Sequence, residues 1–139
     1  MANAIAAVAT IEFFKNRDIK KYEQSREWIT RELKFSTILN DTIEELKSLY
    51  SKNITDVEKS EQKEIVFNRY KKNFEKISNK KIKTKANNAY LLAQEIYYKK
   101  FDVFIDKYKL NDSSLKKFVS YLKEISNEED PYNVLGSEN

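Results

Sequence analysis

Apolar residues recur at steps of three and four along most of the chain, the period expected of helices with one buried face. The first stretch places Ala4, Ala7, Val8, Ile11, Phe14, Tyr22, Ile29, Leu33 and Ile38/Leu39 at such steps. The match weakens between Phe14 and Tyr22, where "KNRD" marks either a bend or a second face. Glu23, Arg26 and Glu27 alternate in sign on the side that reads as exposed, and Trp28 falls beside the stripe. The pattern restarts in "NDTIEELKSLY" with Ile43, Leu46 and Leu49/Tyr50. Asp41 followed by Glu44 fits an N-cap, so a helix either breaks near Asn40 or runs straight through. The turn is expected at "SKN", residues 51–53.

Thr55-Asp56-Val57-Glu58 has the form of a capping box, and the helix it opens is expected to reach about Ser78. Its stripe is Val66/Phe67, Tyr70, Phe74 and Ile77. A fourth helix is expected from about Thr84 to Leu110. Ala86, Ala89, Ala93, Ile96, Phe101, Phe104, Ile105 and Tyr108 share one side of it, widened by Tyr90, Leu92, Tyr97 and Val103. A helix apolar over so much of its circumference is predicted to be central. Asn111-Asp112-Ser113 ends it and caps the next helix, which carries Leu115, Phe118, Val119, Leu122 and Ile125. "NEEDPYNVLGSEN" then loses the period.

These elements predict an all-α fold: a single-domain antiparallel helical bundle of four to five helices over residues 1–126, followed by a flexible acidic C-terminal tail over 127–139. Composition agrees. The only Gly and the only Pro, Gly136 and Pro131, both lie near the C-terminus, which leaves little turn chemistry for β-hairpins. There is no internal repeat.

The missing residue types bound the chemistry. With no His and no Cys, neither disulfides, nor thiolate nucleophiles, nor serine triads, nor His- or Cys-ligated zinc can form from this chain. A single glycine also rules out the Gly-rich phosphate loops. Glu58, Glu61 and Glu64 share a helix face, as do Glu95, Asp102 and Asp106, but Lys59, Lys63, Lys99 and Lys109 are interleaved as ion-pair partners. The sequence therefore reads as a protein that is not an enzyme and needs no cofactor. The N-terminal stretch is apolar but lacks a basic region before it and is interrupted by Glu12, so a cytoplasmic protein is expected.

Charge then singles out one surface. Net charge is +4, yet residues 69–126 carry 15 basic and 6 acidic side chains, and the tail carries 4 acidic ones. Arg69, Lys71, Lys72, Lys76, Lys80, Lys81, Lys83 and Lys85 oppose only Glu75. This strip suits either a nucleic-acid backbone or an acidic protein surface, although Lys outnumbers Arg 22 to 4, a bias that an AT-rich genome alone produces. Phe13, Trp28, Tyr90 and Tyr98 are the candidate interface anchors, and the Ala-rich N-terminal helix is a candidate homodimer seam if it does not pack into its own bundle. Membrane attachment is not expected.

The function that follows from these features is a small, non-catalytic helical protein that binds and inhibits a larger protein partner. Phage or mobile-element proteins acting against host defence nucleases have this size and composition. The alternatives are a nucleic-acid-binding accessory subunit using residues 69–85, or a self-assembling structural protein.

Overall fold

The computed structural model describes residues 2–78 and 86–137. Among them are seven helices and no strand: α1 (Ala2–Phe14), α2 (Ile19–Ser51), α3 (Asp56–Ser78), α4 (Asn88–Tyr98), α5 (Phe101–Leu110), α6 (Leu115–Ile125) and α7 (Pro131–Ser137). The all-α expectation holds. The number of helices exceeds four to five because two of the expected helices are each divided, and because α7 forms within the stretch expected to be tail.

The first division falls in "KNRD". Asp18 turns the chain there: its side chain accepts from the Lys21 backbone N–H at 3.0 Å, the N-cap bond that opens α2. At the second candidate break, near Asn40, α2 runs through. The Thr42 hydroxyl donates to the Ile38 carbonyl at 2.7 Å inside the helix, and no Gly or Pro forces an end. The turn after Ser51 and the capping box are where the pattern put them. The Thr55 Oγ1 accepts from the Glu58 N–H at 3.2 Å, and Glu58 Oε2 accepts from the Thr55 N–H at 2.9 Å. That backbone N–H holds the Glu58 carboxyl below its ordinary range, followed by the Thr55 hydroxyl.

The expected long fourth helix is divided at Lys99–Lys100. Lys100 takes a left-handed conformation, φ 55°, that costs a non-glycine residue about 1–2 kcal/mol. The loop after α5 has two more such residues, Asp112 at φ 57° and Ser113 at φ 49°. The cap of α6 is accordingly Ser114, one residue beyond the expected segment, with Phe118 N–H bonding to the Ser114 carbonyl at 2.9 Å.

The chain forms two compact units, Met1–Thr30 with Lys100–Asn139, and Arg31–Lys99. In the first, α1 packs on α5 and α6, and α7 packs on α5 and α6. Ala4, Ala7 and Val8 are buried there, so the small-residue face proposed as a dimer seam is occupied within its own unit. Phe101, Phe104, Phe118, Leu122 and Leu135 fill the same core. The Tyr108 hydroxyl donates to Glu12 at 2.6 Å, tying α5 to α1.

In the second unit, the C-terminal part of α2 packs with α3 and α4. Phe35, Leu39, Ile43, Leu46 and Leu49 meet Val66, Phe67 and Tyr70 of α3 and Leu91 of α4. The register descends between α2 and both neighbours, as in antiparallel helices. Glu45 pairs with Arg69 and Lys52 with Gln62, while Tyr50 bonds Asn88 and Ser36 bonds Tyr98.

The capping box gives a direct check on this frame. Thr55→Ala removes one of its two reciprocal bonds and should lower stability by about 1 kcal/mol. Chemical denaturation measures it, and an unchanged midpoint would mean the box does not hold α3.

Candidate functional site

α4 does not present the face its apolar pattern suggests. The expected stripe through Ala89, Ala93 and Ile96 is exposed, Ile96 at 76%, and Leu92 and Tyr97 beside it are exposed as well. The inward stripe is Asn88, Leu91, Glu95 and Tyr98, also spaced by three and four residues, with Leu91 buried and the other three half-buried. Bonds to α2 hold this rotation. The Ser36 hydroxyl, fully buried, donates to the Tyr98 carbonyl at 2.9 Å and so satisfies an acceptor that the helix C-terminus leaves free. The Tyr98 hydroxyl donates to Glu32, and its ring stands edge-on to Phe35 with centroids 4.7 Å apart.

Between α2 and α4 this arrangement leaves an open groove of about 210 Å³, lined by Ile43, Leu46, Lys47, Tyr50, Asn88, Leu91 and Leu92. Its walls are aliphatic. Part of its rim is the Tyr50–Asn88 pair, in which the Asn88 amide donates to the Tyr50 hydroxyl at 2.8 Å. Lys47 forms another part, with its ammonium 2.7 Å from Glu44 and 3.9 Å from Glu95. Two carboxylates thus face one ammonium beside an apolar slot, one negative charge in excess. The hydrogen bond to Glu44 raises the Lys47 pKa above its ordinary 10.5, so the ammonium keeps its proton at neutral pH. Glu95 is the less exposed carboxylate, its side chain 21% exposed against 71% for Glu44.

The residues singled out from sequence do not assemble into this site. Arg69, Lys71, Lys72 and Lys76 are exposed on α3, and Arg69 pairs with Glu45. Lys80, Lys81, Lys83 and Lys85 lie outside the described residues. Phe13, 53% exposed, stacks edge-on with Phe14 and carries the Arg17 guanidinium 4.3 Å above its ring. Trp28 is exposed. Tyr90 and Tyr98 pack against the core of the second unit, so they act there as internal contacts. Of the carboxylate clusters, Glu58 is taken by its capping box and Asp106 by Lys109 at 2.7 Å. Glu95 approaches the groove through Lys47, which lines it and stands 3.9 Å away. Lys47 and Glu44 were missed, because their role depends on the rotation of α4, which the periodicity put two residues out.

Among the described residues, no group of three or more acidic side chains could hold a metal ion, and no helix is long and apolar enough to cross a membrane.

Residues 1–133 match the model of the family described as "Putative aminopeptidase", and the chain belongs to that family. No curated protein and no solved structure matches it. The family match overturns two expectations drawn from sequence, that the protein is a non-catalytic partner-binding inhibitor and that it is not an enzyme. Those expectations leaned on the absence of His and Cys, which removes the familiar nucleophiles and bases but leaves carboxylates, ammonium groups and phenols. The phage-type and anti-defence reading rested on size and composition alone and falls with them.

Burial first, then a neighbouring hydroxyl or carboxylate, raises Tyr70, Tyr98 and Tyr108 well above their ordinary 10.0. The fold binds these protons more tightly than the unfolded chain does. Their stabilising contribution is therefore complete below pH 10 and is lost as pH rises past it. An alkaline titration followed by phenolate absorbance and circular dichroism should show part of the phenolate signal, that of Tyr70, Tyr98 and Tyr108, appearing only as helix is lost. A single smooth phenolate transition with intact helix would contradict this.

Proposed function

We propose that the protein is an aminopeptidase, releasing the N-terminal residue of peptides in the cytoplasm. The family match over residues 1–133 carries this reading, and the charge arrangement beside the groove supports it. Such an enzyme has to tell a free α-ammonium from an internal amide. A carboxylate whose own cation is engaged elsewhere does this. Lys47 sits closer to Glu44, and Coulomb attraction falls with distance, which leaves Glu95 the less neutralised of the two.

In this reading Glu95 takes the substrate ammonium. Lys47 donates to the scissile carbonyl oxygen and stabilises the negative charge that develops there. Glu44 accepts a proton from the attacking water as the water oxygen bonds to the carbonyl carbon. The oxyanion then collapses to the carboxylic acid as the C–N bond breaks, and the leaving amine takes from Glu44 the proton that came from the water.

The test is hydrolysis of leucyl arylamide by the purified full chain, beside its N-acetylated analogue, across pH and with and without added divalent cations. The free-amine substrate should be cleaved and the acetylated one left intact. Glu95→Gln should raise KM by about tenfold to a hundredfold, the loss of a charge-assisted hydrogen bond. Lys47→Met should lower kcat by about a hundredfold or more, as removal of an oxyanion donor does. Absence of arylamine release by the wild-type chain under all these conditions would overturn the proposal.

A further inference from the structure

The family assignment says nothing about which N-terminal residue is accepted, but the walls of the groove do. We infer that the groove between α2 and α4 receives the side chain of that residue and selects large aliphatic or aromatic ones. This inference rests on the reading of Glu95 as the ammonium site.

The rim and the slot together describe a ligand with a positive charge directly beside an apolar group. Glu95 follows Leu91 and Leu92 by one helical turn on α4, and Lys47 follows Ile43 by one turn on α2, so charge and apolar wall alternate along both helices. A peptide N-terminus has this form, with its ammonium and its first side chain on the same carbon. Size agrees too: an apolar cavity of about 150 Å³ takes a benzene ring, and the open groove of about 210 Å³ is larger. A glycine at this position would leave the apolar wall of the groove, Leu92 above all, without a contact. Discrimination against it should be about tenfold to a hundredfold, the range expected for burying one aliphatic or aromatic side chain.

The experiment is a titration of isotope-labelled full-length protein, followed by amide chemical shifts, with leucinamide, phenylalaninamide, glycinamide and N-acetyl-leucinamide. Leucinamide and phenylalaninamide should shift signals within residues 43–50 and 88–95. Glycinamide should bind about tenfold to a hundredfold more weakly, and the acetylated amide should not bind. Leu92→Glu places a charge in the wall at a position 54% exposed, where the fold tolerates it, and should abolish the preference for leucinamide over glycinamide. Glu95→Gln should remove the preference for the free amine while leaving the size preference. Equal binding of all four amides, shifts confined to other residues, or no shifts with any of them would overturn the inference. The two proposals fail separately. Groove binding with the predicted ranking but no hydrolysis sinks the catalytic reading alone, whereas hydrolysis without ranking or groove shifts sinks the specificity alone.

Discussion

The rotation of α4 about its own axis decides what the second unit can do, and a small number of polar contacts set it. α4 ends where the Ser36 hydroxyl meets the Tyr98 carbonyl and where Lys100 turns left-handed. The Tyr98 hydroxyl bond to Glu32 and the edge-on contact with Phe35 add two more constraints on the same end. With that end held, Leu91 drops into the core, Glu95 arrives beside Lys47, and Leu92 and Ile96 face outward. The opposite end is held by Tyr50 and Asn88. The groove lies between these two fixed points, built on helices whose bonds leave little freedom to slide, which is what a binding site requires of its scaffold.

Most of the fold could be read from local chemistry. The capping box at Thr55, the stripe through Phe118, Leu122 and Ile125, and the turn after Ser51 all follow from residues a few positions apart. The features that escaped depend on distant partners. Nothing near Lys99 or Lys100 announces a break, since neither is a Gly or Pro; the partner that satisfies the helix end, Ser36, lies 62 residues away. Apolar residues also cover α4 nearly all round, so periodicity alone could not choose between the 89/93/96 stripe and the 88/91/95/98 one. Two polar members, Asn88 and Glu95, hid the second. Asn88 lines the groove, and Glu95 stands behind its Lys47 rim.

The candidate site was legible only in part. Glu95 stood out within a run of acids, but it was grouped with Asp102 and Asp106, from which the end of α4 separates it. The lysine strip drew attention because charge density is easy to see in a sequence. Its described members lie on the exposed face of α3, where individual ion pairs such as Arg69–Glu45 contribute little, about 0.2–1 kcal/mol. The Glu44–Lys47–Glu95 arrangement has fewer charges, but it adjoins an apolar slot, and that adjacency gives it chemical meaning. Membership of the family described as "Putative aminopeptidase" places the emphasis on such arrangements, and the absence of His and Cys from the chain shifts it toward carboxylates and a protonated lysine.

The account therefore stands on which face of α4 is buried, and the cysteine-free chain makes that directly measurable. Single cysteines introduced as Leu91→Cys, Leu92→Cys and Ile96→Cys can be compared by their rates of reaction with a water-soluble thiol reagent under native conditions. The structure predicts rapid labelling at positions 92 and 96 and strong protection at 91 until the protein is unfolded. Rapid labelling at 91 with protection at 92 and 96 would mean that α4 is rotated to the face its periodicity first suggested. The groove, its charged rim and the function proposed for them would then have no structural basis.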